Sequence, residues 1–597
     1  MLMSTHEARL DALRKELARR GLDGFVIPIS DEHMSEYVGA YAQRLAWLTG
    51  FEGSAGSAVV LPAEAAIFVD GRYTLQVREQ VDGNLWSYQS VPETSVAEWL
   101  KGHAKEGARI GYDPWLHSKG WVKAAREALA RNKAELVAVD TNPVDAIWPD
   151  RPVPSQARLV VHSDELAGRK STDKRAVMAD ELKAKGADAA ILSALDSIAW
   201  TFNIRGQDVD RTPVALAYAA VHADGTADLF VAPEKIDEAV VRHLGNAVRV
   251  HPRDVFSGWL AGQGGKTLLV DPDRAVVAIF EALENAGAKL IEQRDPAVLP
   301  KATKNAAEIG GHKAAQARDG AALTRFLHWL SVEAPKGHLT EIDAAEKLHE
   351  FRRATGALRD LSFDTISGAG PNGAVVHYRV SEETNRPIEL NSLFLVDSGG
   401  QYPDGTTDVT RTVAIGTPTP EMRDRFTRVL KGHIALARAV FPKGTRGGQL
   451  DVLARQYLWA AGVDYAHGTG HGVGSYLSVH EGPQRIATVS GPGDEPLVPG
   501  MIISNEPGYY KTGAFGIRIE NLVLVEPREI AGAERDMLGF ETLTLAPIDR
   551  ALIDVSLLDA GERGWIDAYH MQVAEKIGPQ LDGAARVWLD EVTAPLA

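Results

Sequence analysis

In the first half of the chain, segments with apolar residues at helical spacing alternate with short, continuous apolar runs. Leu10, Leu13 and Leu17 form a stripe among charged neighbours, which predicts an amphipathic helix ending at Arg20-Gly21. Leu22-Asp23-Gly24 then leads into Phe25-Val26-Ile27, a run too short for a helix and read as a buried strand. The same punctuation returns further on. A helix ends at Lys185-Gly186, and Ala187-Asp188-Ala189 leads into Ala190-Ile191-Leu192. Likewise Ala46-Trp47-Leu48-Thr49-Gly50 is answered by Ala199-Trp200-Thr201-Phe202-Asn203, each followed by a Gly-bearing turn and another apolar run. Two copies of one α/β unit are predicted. The alternative is coincidence, because glycine commonly follows a helix.

The pattern changes near residue 300. A long helix is predicted from about Asn305 to Val332, with Ile309, Ala315, Ala322, Leu323, Phe326 and Leu330 on its apolar face. Strand-like runs dominate from Leu393 onward, interrupted by a helical stretch near Met422 to Phe441, with turns at Gly370-Pro371-Asn372-Gly373 and Pro403-Asp404-Gly405. Proline-rich stretches at 142–154 and 295–300 remove backbone donors and disfavour helix before each ring, so they mark boundaries. The expected organisation is α/β over 1–155, α/β over 156–300 and α+β over 301–597.

Length supports several cores: 597 residues correspond to roughly three to four domains. Lys and Arg total 64 against 80 Asp and Glu, a net charge of −16. That balance works against binding a phosphate backbone, so no nucleic-acid partner is expected. With 0 cysteines, disulfides, thiolate metal sites and a cysteine nucleophile are excluded. The first twenty residues carry no apolar signal-like core, and apolar stretches such as 55–69 are interrupted by Pro62 and Glu64, short of the ~20 residues that span a bilayer. A soluble, cytoplasmic protein without membrane attachment is expected.

The chemistry concentrates in the third segment. Leu393-Phe394-Leu395-Val396-Asp397 and Asp408-Val409-Thr410-Arg411-Thr412-Val413 flank a Gly/Pro turn and read as a hairpin-like pair. Asp397 ends an apolar run, where an uncompensated carboxylate is expensive, so a cation is expected beside it; taken alone it also fits a turn residue. In His467-Gly468-Thr469-Gly470-His471-Gly472-Val473-Gly474, glycines let the backbone approach a site closely and adopt positive φ, while imidazole offers a neutral nitrogen to a metal. The loop has no Lys and lacks phosphate-loop spacing, which disfavours nucleotide binding. His480-Glu481-Gly482-Pro483 follows. Glu506 precedes Pro507, and alternation along 516–525 places Arg518 and Glu520 on one face, although each glutamate alone also fits a salt-bridged strand residue. Together, Asp397, Asp408, His471, Glu506 and Glu520 make a hard, oxygen-rich donor set suited to two divalent ions, Mn²⁺ above all, with Zn²⁺ or Co²⁺ able to occupy it. His-Glu-x-x-His and Gly-x-Ser-x-Gly motifs are absent, which disfavours a zincin or a serine hydrolase.

This ordered series resembles the ligand set of the pita-bread metallopeptidases, which include methionine aminopeptidase, prolidase and aminopeptidase P. The chain looks like the long, three-domain aminopeptidase P form. Ser30-Asp31-Glu32-His33, residues 50–56, Asp70-Gly71-Arg72-Tyr73, residues 193–200, Gly370-Pro371-Asn372-Gly373 with His377-Tyr378, and the tail around 565–570 extend the similarity along nearly all of it. The resemblance implies two creatinase-like α/β domains before a pita-bread catalytic domain with a C-terminal extension. It also implies that Asp397 binds one ion, Asp408 and Glu520 bridge both, and His471 and Glu506 complete the second. His377 and His480 would contact substrate and stabilise the oxyanion, His467 would line the site, and Arg518 would orient its neighbours. The implied activity is release of the N-terminal residue from peptides with proline second, through a hydroxide bridging two ions, with Glu506 carrying the proton to the proline nitrogen. A homodimer formed through the catalytic domain is implied as well. A prolidase-type dipeptidase and a catalytically inactive peptide-binding module are the alternatives.

Overall fold

The computed structural model describes residues 5–91, 93–488 and 494–596. The chain divides into two compact units, one of Met1–Asp164 with Arg169–Val298 and one of Glu165–Gly168 with Leu299–Ala597.

The first unit contains two six-stranded mixed sheets. One runs, edge to edge, Ser87–Ser90, Ala65–Val69, Ser57–Val60, Gly24–Pro28, Arg109–Tyr112 and Glu135–Ala138. The other runs Val248–His251, Ala227–Val231, Ala217–His222, Ala189–Leu192, Thr267–Val270 and Lys289–Glu292. In both, the first strand in the chain pairs antiparallel with the second and parallel with the fifth. The third continues antiparallel from the second, and the fourth and sixth join as parallel edges. The repeat read from punctuation is therefore a repeat of topology. It extends to single residues: the helices Arg44–Thr49 and Leu195–Phe202 end on Gly50 and Asn203, both left-handed, with φ of 84° and 50°. Asn203 takes that conformation without glycine's freedom because its buried amide is tied at both ends, to Lys174 Nζ at 2.6 Å and the Arg169 carbonyl at 2.9 Å. Helix Thr5–Arg19 buries Leu10, Leu13 and Leu17, as its stripe predicts.

In the second unit, the predicted long helix spans Ala306–Glu333 and is capped by Asn305 and Glu308 reciprocally. Ile309 is only half-buried, whereas polar His312, Gln316 and Asp319 are buried on the same helix. The next predicted helix spans Pro420–Ala437 and stops short of Phe441, which lies in strand Val440–Pro442 paired with Met537–Thr542. Packing decides that boundary: the Phe441 ring meets Phe540 at 5.2 Å. Helices Glu341–Arg353 and Gly447–Trp459 were not expected from the pattern. The first is mostly charged, and the second opens on two glycines that obscure its period.

Strands Ile366–Ala369, Ser392–Ser398 and Val409–Ile415 form an antiparallel sheet with Asp397 opposite both Ile366 and Thr410, as the hairpin reading requires. A six-stranded sheet is ordered Val440–Pro442, Met537–Thr542, Asn521–Arg528, Ile502–Asn505, Gly470–Gly472, Glu481–Ile486. The run 516–525, expected as one strand, is two: Phe515–Arg518 pairs with Gly508–Lys511, and Asn521–Arg528 joins the larger sheet. Between them Glu520 N–H bonds the Thr410 carbonyl at 3.2 Å, so the chain crosses from one sheet to the next at the residue expected to bind metal.

Candidate active site

Apolar strands carry the acidic residues inward. Asp397, Asp408 and Glu520 are 7%, 4% and 1% exposed. The cation expected beside Asp397 is Arg518, whose Nη2 donates to Asp397 Oδ2 at 2.6 Å. Its Nη1 donates to the Tyr510 hydroxyl at 2.6 Å and its Nε to Thr410 Oγ1 at 3.2 Å. Thr410 in turn donates to Glu520 Oε2 at 2.8 Å. Arg518 thus fixes one carboxylate directly and another through a threonine hydroxyl.

His471 Nδ1 bonds the Gly472 carbonyl at 2.9 Å, and Nε2 stands 3.4 Å from both Asp408 Oδ2 and Glu506 Oε1. The Nδ1 bond fixes the ring's orientation and turns Nε2 toward the carboxylates. Ser504 Oγ accepts from the His471 backbone N–H at 2.9 Å and donates to Glu506 Oε1 at 3.0 Å, tying the histidine's backbone and the glutamate's side chain to one hydroxyl.

Burial raises the Asp397 and Glu506 carboxyls above their ordinary range, and burial with Asp408 close by raises Glu520 well above it. Burial also opposes a charged His471, but Asp408 and Glu506 carry it up to about 9. Arg518 supplies one positive charge against four clustered carboxylates. Asp397 Oδ1 and Glu520 Oε1 are buried without a hydrogen-bond partner. Asp408, His471 and Glu520 each present a ligand atom, and these atoms lie within 4.8 Å of one another. Orphaned carboxylate oxygens beside such a cluster fit cation binding, because a buried acceptor left unmet costs stability that coordination recovers.

The other expected residues are placed around this cluster. His480 stands edge-on to His471, ring centroids 4.4 Å apart. His467 Nε2 meets the Tyr510 hydroxyl at 2.9 Å. Since Tyr510 accepts from Arg518, its own proton goes to His467, whose Nδ1 then donates to the Gly468 carbonyl at 2.7 Å. His377 is half-buried on the turn after the 3₁₀ segment Gly370–Ala374. Tyr510, Thr410 and Ser504 were missed in the sequence. A threonine or serine on a strand carries no signal there, while Tyr510 sits four residues after Glu506 in a polar-aromatic run open to several readings.

The glycine loop works by close approach alone. None of Gly468, Gly470, Gly472 or Gly474 has the positive φ expected of it. A Cβ on Gly470 would lie 1.9 Å from the Ser504 carbonyl oxygen, so its lack of a side chain lets the histidine strand reach the glutamate strand. Gly470→Ala is expected to destabilise the protein by about 1–3 kcal/mol and to weaken metal retention, read from urea unfolding and metal analysis.

Comparison with known proteins places these features. The creatinase/prolidase N-terminal domain matches residues 9–147 and again 150–308, metallopeptidase family M24 matches 310–527, and the C-terminal region of that peptidase matches 536–596. Two creatinase-type domains followed by a pita-bread domain bearing this donor set define a metallopeptidase. Aminopeptidase P2 of Arabidopsis thaliana is 41% identical over 99% of this chain and 89% of its own. A "Probable Xaa-Pro aminopeptidase P" of Aspergillus fumigatus is 41% identical over 98% and 92%. An X-prolyl aminopeptidase of Caenorhabditis elegans, described as a cytosolic enzyme with a di-nuclear active site, superposes with a TM-score of 0.93 at 35% identity, covering 99% of this chain and all of that one. The chain belongs to the aminopeptidase P family of M24 metallopeptidases.

Proposed function

We propose that the protein removes the N-terminal residue from peptides with proline in second position. The observation that carries the metallopeptidase chemistry is the convergence of Asp397, Asp408, His471, Glu506 and Glu520, with two carboxylate oxygens left without partners, and the preference for proline rests on the likeness to the Xaa-Pro aminopeptidases. Asp397 would hold one divalent ion and His471 with Glu506 the other, with Asp408 and Glu520 shared. Mn²⁺ suits so many carboxylate donors best, ahead of Zn²⁺ and Co²⁺. Bound there, the ions supply a water acidic near neutral pH and polarise the scissile carbonyl.

The chain's own groups do the rest. Glu506, its carboxyl raised by burial, takes the proton from the attacking water and passes it to the proline nitrogen, which leaves as a secondary amine. His377 and His480 donate to the oxygen on which charge develops, and His467 lines the cleft. Arg518 opposes the burial that raises the Asp397 carboxyl and holds it in place. Among the described residues no helix is long and apolar enough to cross a membrane. A homodimer through the catalytic domain, a cytoplasmic setting and division into 1–155, 156–300 and 301–597 complete the reading. The cytosolic relative and the successive family matches support the latter two.

Hydrolysis of an X-Pro-Y tripeptide beside X-Ala-Y, with Mn²⁺ and after chelation, tests the proposal. The expected result is release of the first residue from the proline peptide only, lost on chelation and restored by Mn²⁺. Cleavage of X-Pro dipeptides but not tripeptides would make the protein a prolidase. Cleavage of neither, by folded protein carrying two ions, would make it a binding module.

A further inference from the structure

We propose that Glu341 is a positioning residue for His377: its buried carboxylate gathers the chain on both sides of that histidine and sets where the imidazole stands. This rests on reading His377 as a substrate-facing group. Glu341 is 0% exposed and opens the helix Glu341–Arg353. Its Oε1 accepts from Ala369 N at 2.7 Å and Asn372 Nδ2 at 3.0 Å. Its Oε2 accepts from Asn372 Nδ2 at 3.0 Å, the Tyr378 hydroxyl at 2.8 Å and Arg386 N at 3.0 Å. Its backbone joins the same knot, the carbonyl accepting from Ser367 Oγ at 2.7 Å and the N–H donating to the Arg386 carbonyl at 3.0 Å.

His377 lies between Asn372 and Tyr378, so the segment bearing it is held at both ends by one carboxylate. On its near side Glu341 also grips strand Ile366–Ala369, which pairs directly with the strand of Asp397. The knot therefore connects the His377 turn to the floor of the acidic cluster. A helix-capping role does not account for it, because Thr340 and Asp343 already form the reciprocal cap of this helix. Burial raises the carboxyl, and the hydrogen bonds, all from neutral donors, oppose that rise.

The geometry singles out Glu341→Gln as informative although the two side chains have the same shape. Each carboxylate oxygen accepts from a backbone N–H, Ala369 on one and Arg386 on the other, and a backbone N–H cannot reverse its role. Whichever way the amide turns, its NH₂ faces a donor. Tyr378→Phe removes a single donor and serves as the milder variant should Glu341→Gln fold poorly.

The experiment combines hydrogen exchange with a double-mutant cycle. In folded protein carrying its full metal complement, Glu341→Gln is expected to speed exchange in peptides covering 366–386 while leaving 392–415 protected. It should lower kcat on an X-Pro-Y tripeptide about tenfold or more, the scale of a small misplacement of a catalytic group, with KM changed far less. In a His377→Ala background the same substitution should alter kcat less than about twofold, since the group it positions is gone. Tyr378→Phe should show both effects in smaller measure. Unchanged exchange at 366–386 overturns the proposal, as does a kcat loss of equal size in both backgrounds, or a loss that tracks departing metal. If the metal-loaded wild type cleaves no proline peptide, the functional reading fails, and the exchange result still decides whether Glu341 organises this turn.

Discussion

Asp408→Ala is expected to lower kcat/KM on an X-Pro-Y tripeptide by at least about a thousandfold and to leave fewer than two ions per chain. Asp408 is buried just before strand Val409–Ile415, 3.4 Å from His471 Nε2 and in one cluster with Glu520. An alanine there removes a donor that both ions would share, so the loss falls on nucleophile and electrophile together, each worth several kcal/mol of barrier. A nearby acid provides the contrast. Asp404 sits on the turn between the short strands Gly400–Tyr402 and Gly405–Thr406 and pairs with Arg318 at 2.9 Å, partly exposed, so Asp404→Ala should change activity by no more than about twofold. Metal analysis beside steady-state kinetics settles the matter: an Asp408→Ala protein with two tight ions and ordinary turnover would remove Asp408 from the site.

The second large effect concerns stability. Arg518→Met should destabilise the chelated protein by about 3–5 kcal/mol, because it strands the Asp397 carboxylate in a buried setting whose other oxygen has no partner. The substitution also breaks the bonds to Tyr510 and Thr410, loosening His467 and Glu520 at the far ends of those links. Loading with Mn²⁺ should recover part of the loss, since a cation beside Asp397 takes over some of the guanidinium's charge. Urea unfolding with and without metal measures both quantities. A chelated variant within about 1 kcal/mol of wild type would show that Asp397 needs no cation.

Of the proposed donors, Asp397, His471 and Glu506 stand out in the sequence because each breaks a local rule. A carboxylate closing an apolar run, histidines among glycines and a glutamate before proline are conspicuous in one dimension, and their order matched a known series. The repeat was legible for a similar reason, since Gly50 and Asn203 each stop a helix by adopting the left-handed conformation. What holds the donors was not legible. Arg411 is fully enclosed and donates to the Glu520, Ala546 and Pro547 carbonyls, to Asn521 Oδ1 and to the Tyr569 hydroxyl, partners that each lie more than a hundred residues along the chain from it. No spacing rule anticipates such a set. Helix Gly447–Trp459 escaped notice as well, yet its Arg455 bonds the His467 carbonyl at 2.7 Å and its Asp451 accepts from Thr469 at 2.6 Å, anchoring the histidine loop. Arg518 and Glu520 both reach Thr410 Oγ1, but strand alternation missed the break between them, because the break is imposed by which neighbours each half pairs with.

That break has a mechanical meaning. Asp397 lies in the smaller sheet with Asp408 just before its strand Val409–Ile415, His471 lies in the larger with Glu506 just after its strand Ile502–Asn505, and Glu520 is the stitch between them. Across that stitch the two sheets are tied by one backbone bond, from the Glu520 N–H to the Thr410 carbonyl, and by one from the Arg411 guanidinium to the Glu520 carbonyl. The spacing between the two groups of acidic side chains is then held by these two bonds to the Glu520 backbone, so a change that shifts either bond would alter the spacing without replacing any side chain of the cluster.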